Sequence, residues 1–260
     1  MKLPLYHVDA FTSRLFSGNP AAVVPLRSWL EDAALQAVAA ENNLSETAFF
    51  AGGSGRYDIR WLTPKNEVDL CGHATLASGF VIATRLEPGI EAVEFSSRSG
   101  PLRVSRQGEL FVLDFPARPP RPAEVGGALP AALRARPKEV WTAERDVMAV
   151  FEEEEEVRNL QPEMSLLSAY ERFGVVVTAP GREADFVSRF FAPRQGVPED
   201  PVTGSSHCTL VPYWARRLGK ARLRARQVSA RGGELFCEDR GERVSIGGRA
   251  VLYLEGTIEV

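Results

Sequence analysis

Cysteine and histidine are scarce in this chain, three of each among 260 residues. Cys71, Cys208 and Cys237 are odd in number and far apart, so no disulfide framework is expected and a reducing compartment is. His7, His73 and His207 are as dispersed, and with the cysteines they show no zinc-like spacing, so no metal is expected. Long apolar runs are missing too. The most apolar window, Ala74 to Ala83, is about half the roughly 20 residues that a membrane span needs. The opening "MKLPLYHVDAF" holds one lysine and no continuous apolar stretch, so it does not read as a secretion signal. A cytoplasmic protein without membrane contact is the expectation.

Excess charge of either sign is also lacking. With a formal net charge of −3, nothing points to nucleic acid or an anionic surface as partner. No G-x-G-x-x-G, Walker or G-x-S-x-G pattern occurs, so no nucleotide cofactor and no serine-hydrolase elbow is expected. Any chemistry must come from the chain's own side chains, with a small molecule as substrate and no cofactor.

What is present suits a globular protein of two domains. The length fits two units of about 100–150 residues, and 44% hydrophobic with 25% charged residues is ordinary for packed domains. "LYHVDAF", "SGNP" and "AAVVPL" read as strand, turn, strand. Ser28 and Glu31 form a capping-box pattern ahead of a helix that runs to Glu41 and stops at Asn42-Asn43. "LSETAFF" and "RYDIRWLTP" resume as strands, and short alternating runs broken by Gly100-Pro101 and Gln107-Gly108 predict antiparallel meanders. The segment 116–130 carries five prolines and reads as a linker. It separates an amino-terminal domain, 1–115, completed by a closing strand 247–260, from a second domain, 131–246. The glutamates Glu152 to Glu156 read as a solvated turn before a helix at Val157 to Leu160.

The two halves contain a repeat. "WLTPKNEVDLCGHATLASGFVIATRL", from Trp61, lies against "FFAPRQGVPEDPVTGSSHCTLVPYWARRLG", from Phe190, with Gly72 opposite Gly204 and no gap after those glycines. In the first half the run after the glycine is apolar on nearly every side, so it predicts a helix buried all round. The expectation is α+β: two similar domains, each a rolled, mostly antiparallel sheet around a central buried helix. Pro212 should kink or break the second helix. A helix amino terminus offers unpaired N–H groups and partial positive charge, so the two entrances, turned to one cleft, would receive a carboxylate or an enolate-like intermediate.

Candidate chemistry gathers at these entrances. Glu46 sits in a strand whose two faces both look partly buried, which would raise its pKa and suit a residue that gives and takes protons. A solvent-facing glutamate on an edge strand fits the same pattern. His73 follows Gly72, where a neutral imidazole could contact a substrate and the helix end would lower its pKa; a capping or core histidine fits as well. Asp200 precedes Gly204 and Ser205, though Asp-Pro and Thr-Gly are also ordinary turn and cap signals. Cys71, ahead of Gly72, could be a base if its thiol were activated, and is otherwise an inert packing residue.

The motifs "FSGNPAAVV", "NNLSETAFF", "LCGHATLASG" and "GVPEDPVTGSSHCTLVPYWA" together resemble the PhzF family of phenazine-biosynthesis isomerase-like proteins, which have the diaminopimelate epimerase-like fold. The likeness runs from about Tyr6 to the closing "RVSIGGRAVLYLEGTI". It implies a cofactor-free isomerase that moves a proton between carbons of a small carboxylate-bearing metabolite, and a homodimer. Glu46 then matches the proton-shuttling glutamate; His73 and Asp200 join it as catalytic, and Gly72, Gly204 and Ser205 hold substrate. Fold relatives that racemise amino acids use a cysteine at each helix entrance. Here only Cys71 is so placed, so a racemase pairing Cys71 with Asp200 stays an alternative. A non-catalytic metabolite-binding protein on the same fold is another.

Overall fold

The computed structural model describes every residue except Val125. It divides into two compact units, Met1–Asp114 with Gly247–Val260, and Phe115–Ile246.

The first unit opens with strands β1 (Lys2–Ala10) and β2 (Asn19–Leu26), helix α1 (Asp32–Asn42), β3 (Glu46–Gly53), β4 (Arg56–Leu62) and the short β5 (Glu67–Val68). Helix α2 (Gly72–Val81) follows and passes into a π-helical turn, Ile82–Leu86. Strands β6 (Ala92–Ser97), β7 (Gly100–Gln107) and β8 (Leu110–Pro116) complete the run. β1 pairs antiparallel with β2, β2 parallel with β3, β3 antiparallel with β4, and β4 parallel with β6, so α2 lies in the crossover between two parallel neighbours. Every residue of α2 except Phe80 is buried, and the helix packs against β1, β2, β3 and β7. Leu76, Val81 and Ile82 are wholly buried; each contributes about 1.5–3 kcal/mol by leaving water. At Gly79 a Cβ would come within 2.6 Å of a Val104 methyl, so the glycine lets helix and sheet approach this closely.

The second unit runs through β9 (Arg121–Ala123), α3 (Ala128–Leu133), β10 (Glu139–Thr142), β11 (Asp146–Val150), α4 (Glu154–Asn159), α5 (Met164–Ala169), β12 (Gly174–Pro180), β13 (Phe186–Ala192), β14 (Val197–Asp200), α6 (Gly204–Leu218), β15 (Arg222–Gln227), β16 (Gly233–Asp239) and β17 (Arg243–Gly248). The ladder pattern repeats pair by pair: β10 with β11 antiparallel, β11 with β12 parallel, β12 with β13 antiparallel, β13 with β15 parallel. β18 (Ala250–Glu259) returns to the first unit and pairs antiparallel with β1. Each unit is a mostly antiparallel sheet around a buried helix opened by Gly72 or Gly204.

Several local expectations change. α1 starts at Asp32 with Glu31 as N-cap and no side-chain cap, so Ser28 forms no capping box; Asn43, left-handed at φ 48°, ends the helix as expected of an asparagine stop. The strand bearing Glu46 begins at Glu46 itself, because Asn43 has just turned the chain. The glutamate run is not a turn. Glu153 and Glu156 form a capping box and Glu154 to Glu156 fill the first turn of α4, where acids suit the helix dipole; Glu154 is buried against Arg158. Within 116–130, Arg121–Ala123 pairs with β10 and α3 begins, so this proline-rich stretch carries structure of its own; Val125 lies outside the described residues.

Pro212 neither breaks nor ends α6, which continues to Leu218. A proline cannot donate to the carbonyl four residues back, here that of Cys208. The Arg118 backbone N–H donates to that oxygen instead, at 2.8 Å. The lost helical bond is thereby replaced, and the proline-rich segment between β8 and β9 is pinned to the helix.

Candidate active site

At the α2 entrance four side chains converge. Gly18, at φ 69°, makes the turn into β2 in a conformation where a Cβ would strike the Ala10 carbonyl at 2.2 Å. The next residue, Asn19, is wholly buried and its Nδ2 lies 3.2 Å from His73 Nδ1. β3 lies parallel beside β2, with Glu46 opposite Ala21, and this register brings the Glu46 carboxylate to 3.4 Å from His73 Nε2. Glu46 keeps 17% of its side chain exposed while His73 keeps 6%. Cys71, the extended N-cap of α2, places its Sγ 3.5 Å from His73 Nδ1.

His73 is neutral near pH 7. Burial pushes the imidazole down to about 3, and the Pro20 carbonyl opposes this only weakly. The direction is as expected, but the leading cause is burial. Asn19 Nδ2 lies against Nδ1, while Nε2, on the Glu46 side, is buried and makes no hydrogen bond within the described residues. No side chain caps α2, so its first-turn N–H groups are left for a ligand.

Glu46, Cys71 and His73 also place three metal-ligand atoms within 4.8 Å of one another. Spacing along the chain could not reveal this group, because Glu46 comes from a different strand. The thiol and the carboxylate flank opposite ring nitrogens, however. An imidazole gives one ion one nitrogen, so this arrangement fits a chain of proton donors and acceptors better than a closed cage.

The α6 entrance is built differently. Thr203 is its extended N-cap and, as at α2, no side chain caps the helix. Gln227 on β15 braces the preceding loop: its Oε1 accepts the Thr203 N–H at 2.9 Å and its Nε2 donates to the Asp200 carbonyl at 2.7 Å. Thr203 Oγ1 donates to the Asp200 carboxylate, and Ser229 Oγ donates to the Pro201 carbonyl at 2.7 Å. Asp200 and Ser205 are half-buried, Gly204 is buried. His207 is a core residue, wholly buried, with Nδ1 2.8 Å from the Thr203 carbonyl and its pKa pushed by burial to about 4. Cys208 is inert packing, its thiol driven up to about 12 by burial.

Glu46, His73, Gly72 and Cys71 are thus gathered in the first unit, and Asp200, Gly204 and Ser205 at the α6 entrance of the second. Asn19 and Gln227 escaped sequence reasoning. Asn19 stood inside "SGNP", where it reads as turn punctuation, and nothing in the sequence marks Gln227.

A family model described as phenazine biosynthesis-like protein, PhzC-PhzF, matches residues 8–256. An uncharacterised isomerase of Pseudomonas aeruginosa is 52% identical over 262 residues, covering all of both chains. The crystal structure of a PhzF-family phenazine biosynthesis protein from Enterococcus faecalis superposes with a TM-score of 0.97 at 46% identity, covering all of both chains. A hydroxyproline epimerase from Agrobacterium vitis, at 9% identity and a TM-score of 0.63 over 99% of this chain and 92% of that one, shares the fold alone. Among the described residues no helix is long and apolar enough to cross a membrane.

Proposed function

The chain belongs to the PhzC-PhzF family of phenazine biosynthesis-like proteins, and from that premise we propose that it is a cofactor-independent isomerase that moves a proton between two carbons of a small carboxylate-bearing metabolite. The observation that carries this reading is the placement of the Glu46 carboxylate, partly open to solvent, 3.4 Å from a neutral buried imidazole.

In this mechanism the Glu46 carboxylate removes a proton from a substrate carbon. The C–H electron pair moves into the adjacent unsaturated system as an enolate-like anion. The resulting carboxylic acid returns the same proton to a second carbon, so no oxidant, reductant or added group is needed. In this scheme His73, set against Asn19 with Nε2 turned to Glu46, carries a proton on that nitrogen in the reacting state, orients the carboxylate and shares a hydrogen bond as its charge changes. Uncapped N–H groups at Gly72, and at Gly204 and Ser205, bind anionic substrate oxygens, and Asp200 contacts a substrate polar group. His73 and Asp200 are catalytic beside Glu46 in this scheme.

A second reading keeps the fold and changes the base. Cys71 Sγ lies 3.5 Å from His73 Nδ1 at a helix amino terminus, a setting that suits thiolate chemistry, and a racemase would pair it with Asp200. The residue at the matching place before Gly204 is Thr203, so a two-thiol racemase is unavailable to this chain.

The test is proton exchange. Chelator-treated protein without added cofactor is incubated in D2O with a panel of small unsaturated carboxylates and examined by NMR. Deuterium entering a carbon position, with appearance of the isomer, is the expected result. A ligand that binds yet never exchanges, or exchange restored only by one metal, contradicts the proposal.

A further inference from the structure

We infer that the second unit carries a separate binding site for a planar-ring organic carboxylate, in a cavity of about 340 Å3 lined by Pro119, Pro120, Trp141, Pro212, Tyr213, Arg216 and Arg217. None of these residues takes part in the proposed proton transfer.

The cavity is a consequence of Pro212. Because that proline leaves the Cys208 carbonyl to the Arg118 N–H, the extended segment carrying Pro119 and Pro120, between β8 and β9, is fastened to α6. Trp141 stands opposite Pro122 in the β9–β10 ladder, which fixes the other wall. Three proline rings and two aromatic rings therefore surround the space, all conformationally stiff, so little ordering entropy is lost when a flat ring enters. The rings are held in place before any ligand arrives. Trp141 and Tyr213 meet edge to face at 5.2 Å, and both polar tips point to one carboxylate: Trp141 Nε1 donates to Glu139 Oε2 at 2.9 Å and Tyr213 Oη at 3.1 Å. Arg217 completes this brace with 2.8 Å to Glu139 Oε1.

Charge selects the ligand. Glu139 is consumed by Trp141, Tyr213 and Arg217, and Arg217 by Glu139 and the Tyr213 hydroxyl. Arg216 remains: it is exposed, lines the cavity, and no described residue holds its guanidinium. A cavity lined by proline and aromatic rings, with the Arg216 guanidinium among its lining groups, fits an aromatic or unsaturated ring that bears a carboxylate, and the volume suits a small organic molecule rather than a macromolecular segment. A neutral ring would leave the arginine unused, and a basic ligand would be repelled by it.

The test uses 2-naphthoate as probe and 5-fluorotryptophan-labelled protein, whose four tryptophan resonances report by 19F NMR. Trp141→Phe assigns the relevant signal. The expected result is a saturable shift of the Trp141 resonance, weakened roughly tenfold in Arg216→Ala, whose exposed position leaves folding intact. 2-Naphthamide, the same ring without the charge, should bind about as weakly to the wild type. An unmoved Trp141 resonance at millimolar probe, movement confined to other tryptophans, or equal affinity of the Arg216→Ala protein would each overturn the inference. The readout does not depend on turnover, so it stands or falls apart from the isomerase reading.

Discussion

The entrances of α2 and α6 begin alike and end differently. Both have an extended N-cap, a glycine in first helical position and no capping side chain. At α2 the second helical residue is His73, surrounded by Glu46, Cys71 and Asn19; at α6 it is Ser205, behind a loop stitched by Gln227. The histidine of α6 stands two residues further on, at His207, where the helix turns it into the core. On the proposed reading, one architecture made twice separates duties: the first copy's groups pass a proton, and the second copy's polar groups hold a ligand. Position on the helix, and not residue type, decides which histidine is available.

The largest effect should come from cutting the proton chain at one entrance and comparing it with the other. Glu46→Gln should lower turnover by ~10²–10⁴ with the melting temperature nearly unchanged. Asp200→Asn should lower kcat/KM by about tenfold, chiefly through KM. Equal losses in steady-state kinetics would erase the proposed division of labour.

Acid should expose what the two histidines share. His73 and His207 are both depressed, to about 3 and about 4, so below about pH 6.5 the unfolded chain binds protons that the folded one refuses. Each then withdraws about 2 kcal/mol of stability between pH 6.5 and 5. Asp146 acts in the opposite sense: burial raises it to about 6, so the folded state takes up its proton first and regains part of the loss below that pH. Urea denaturation at pH 7, 6 and 5 should show net destabilisation on acidification, with a shallower slope in His207→Gln. A flat profile would contradict neutral burial of the pair.

Gln227→Ala should cost about 1–3 kcal/mol, because the Thr203 N–H loses a buried acceptor. It should also raise KM through the loosened Asp200 loop while kcat changes little. A fall in kcat alone would place Gln227 in the chemistry. The smallest effect is expected of Pro212→Ala. Proline in a helix interior usually costs about 3 kcal/mol relative to alanine, but here the orphan carbonyl already has the Arg118 N–H, so the gain in thermal stability should be well below that.

The repeat was legible because Gly72 and Gly204 begin apolar runs whose pattern is local, and a helix apolar on all sides leaves a sheet as its surroundings. Cys71, His73 and Ser205 adjoin those glycines and Asp200 stands four residues ahead of Gly204, so all could be singled out. Asn19 and Gln227 could not, since each reaches its partner through strand register, which no short motif encodes. The same holds for Pro212: its local rule predicts a broken helix, and the rescuing N–H comes from Arg118, far away in the chain. The glutamates of α4 misled for a different reason, because an acidic run suits both water and a helix's first turn, and only the Glu153–Glu156 capping box distinguishes them.

The most direct measurement is solvent-deuterium incorporation by Glu46→Gln and Cys71→Ser side by side, on any substrate that turns over. If Glu46 carries the proton, its glutamine variant binds ligand within a few-fold of the wild type but incorporates deuterium at least ~10² times more slowly, while Cys71→Ser stays near wild type. A Glu46→Gln protein that exchanges normally beside an inactive Cys71→Ser would transfer the role of base to the thiol and contradict the isomerase mechanism.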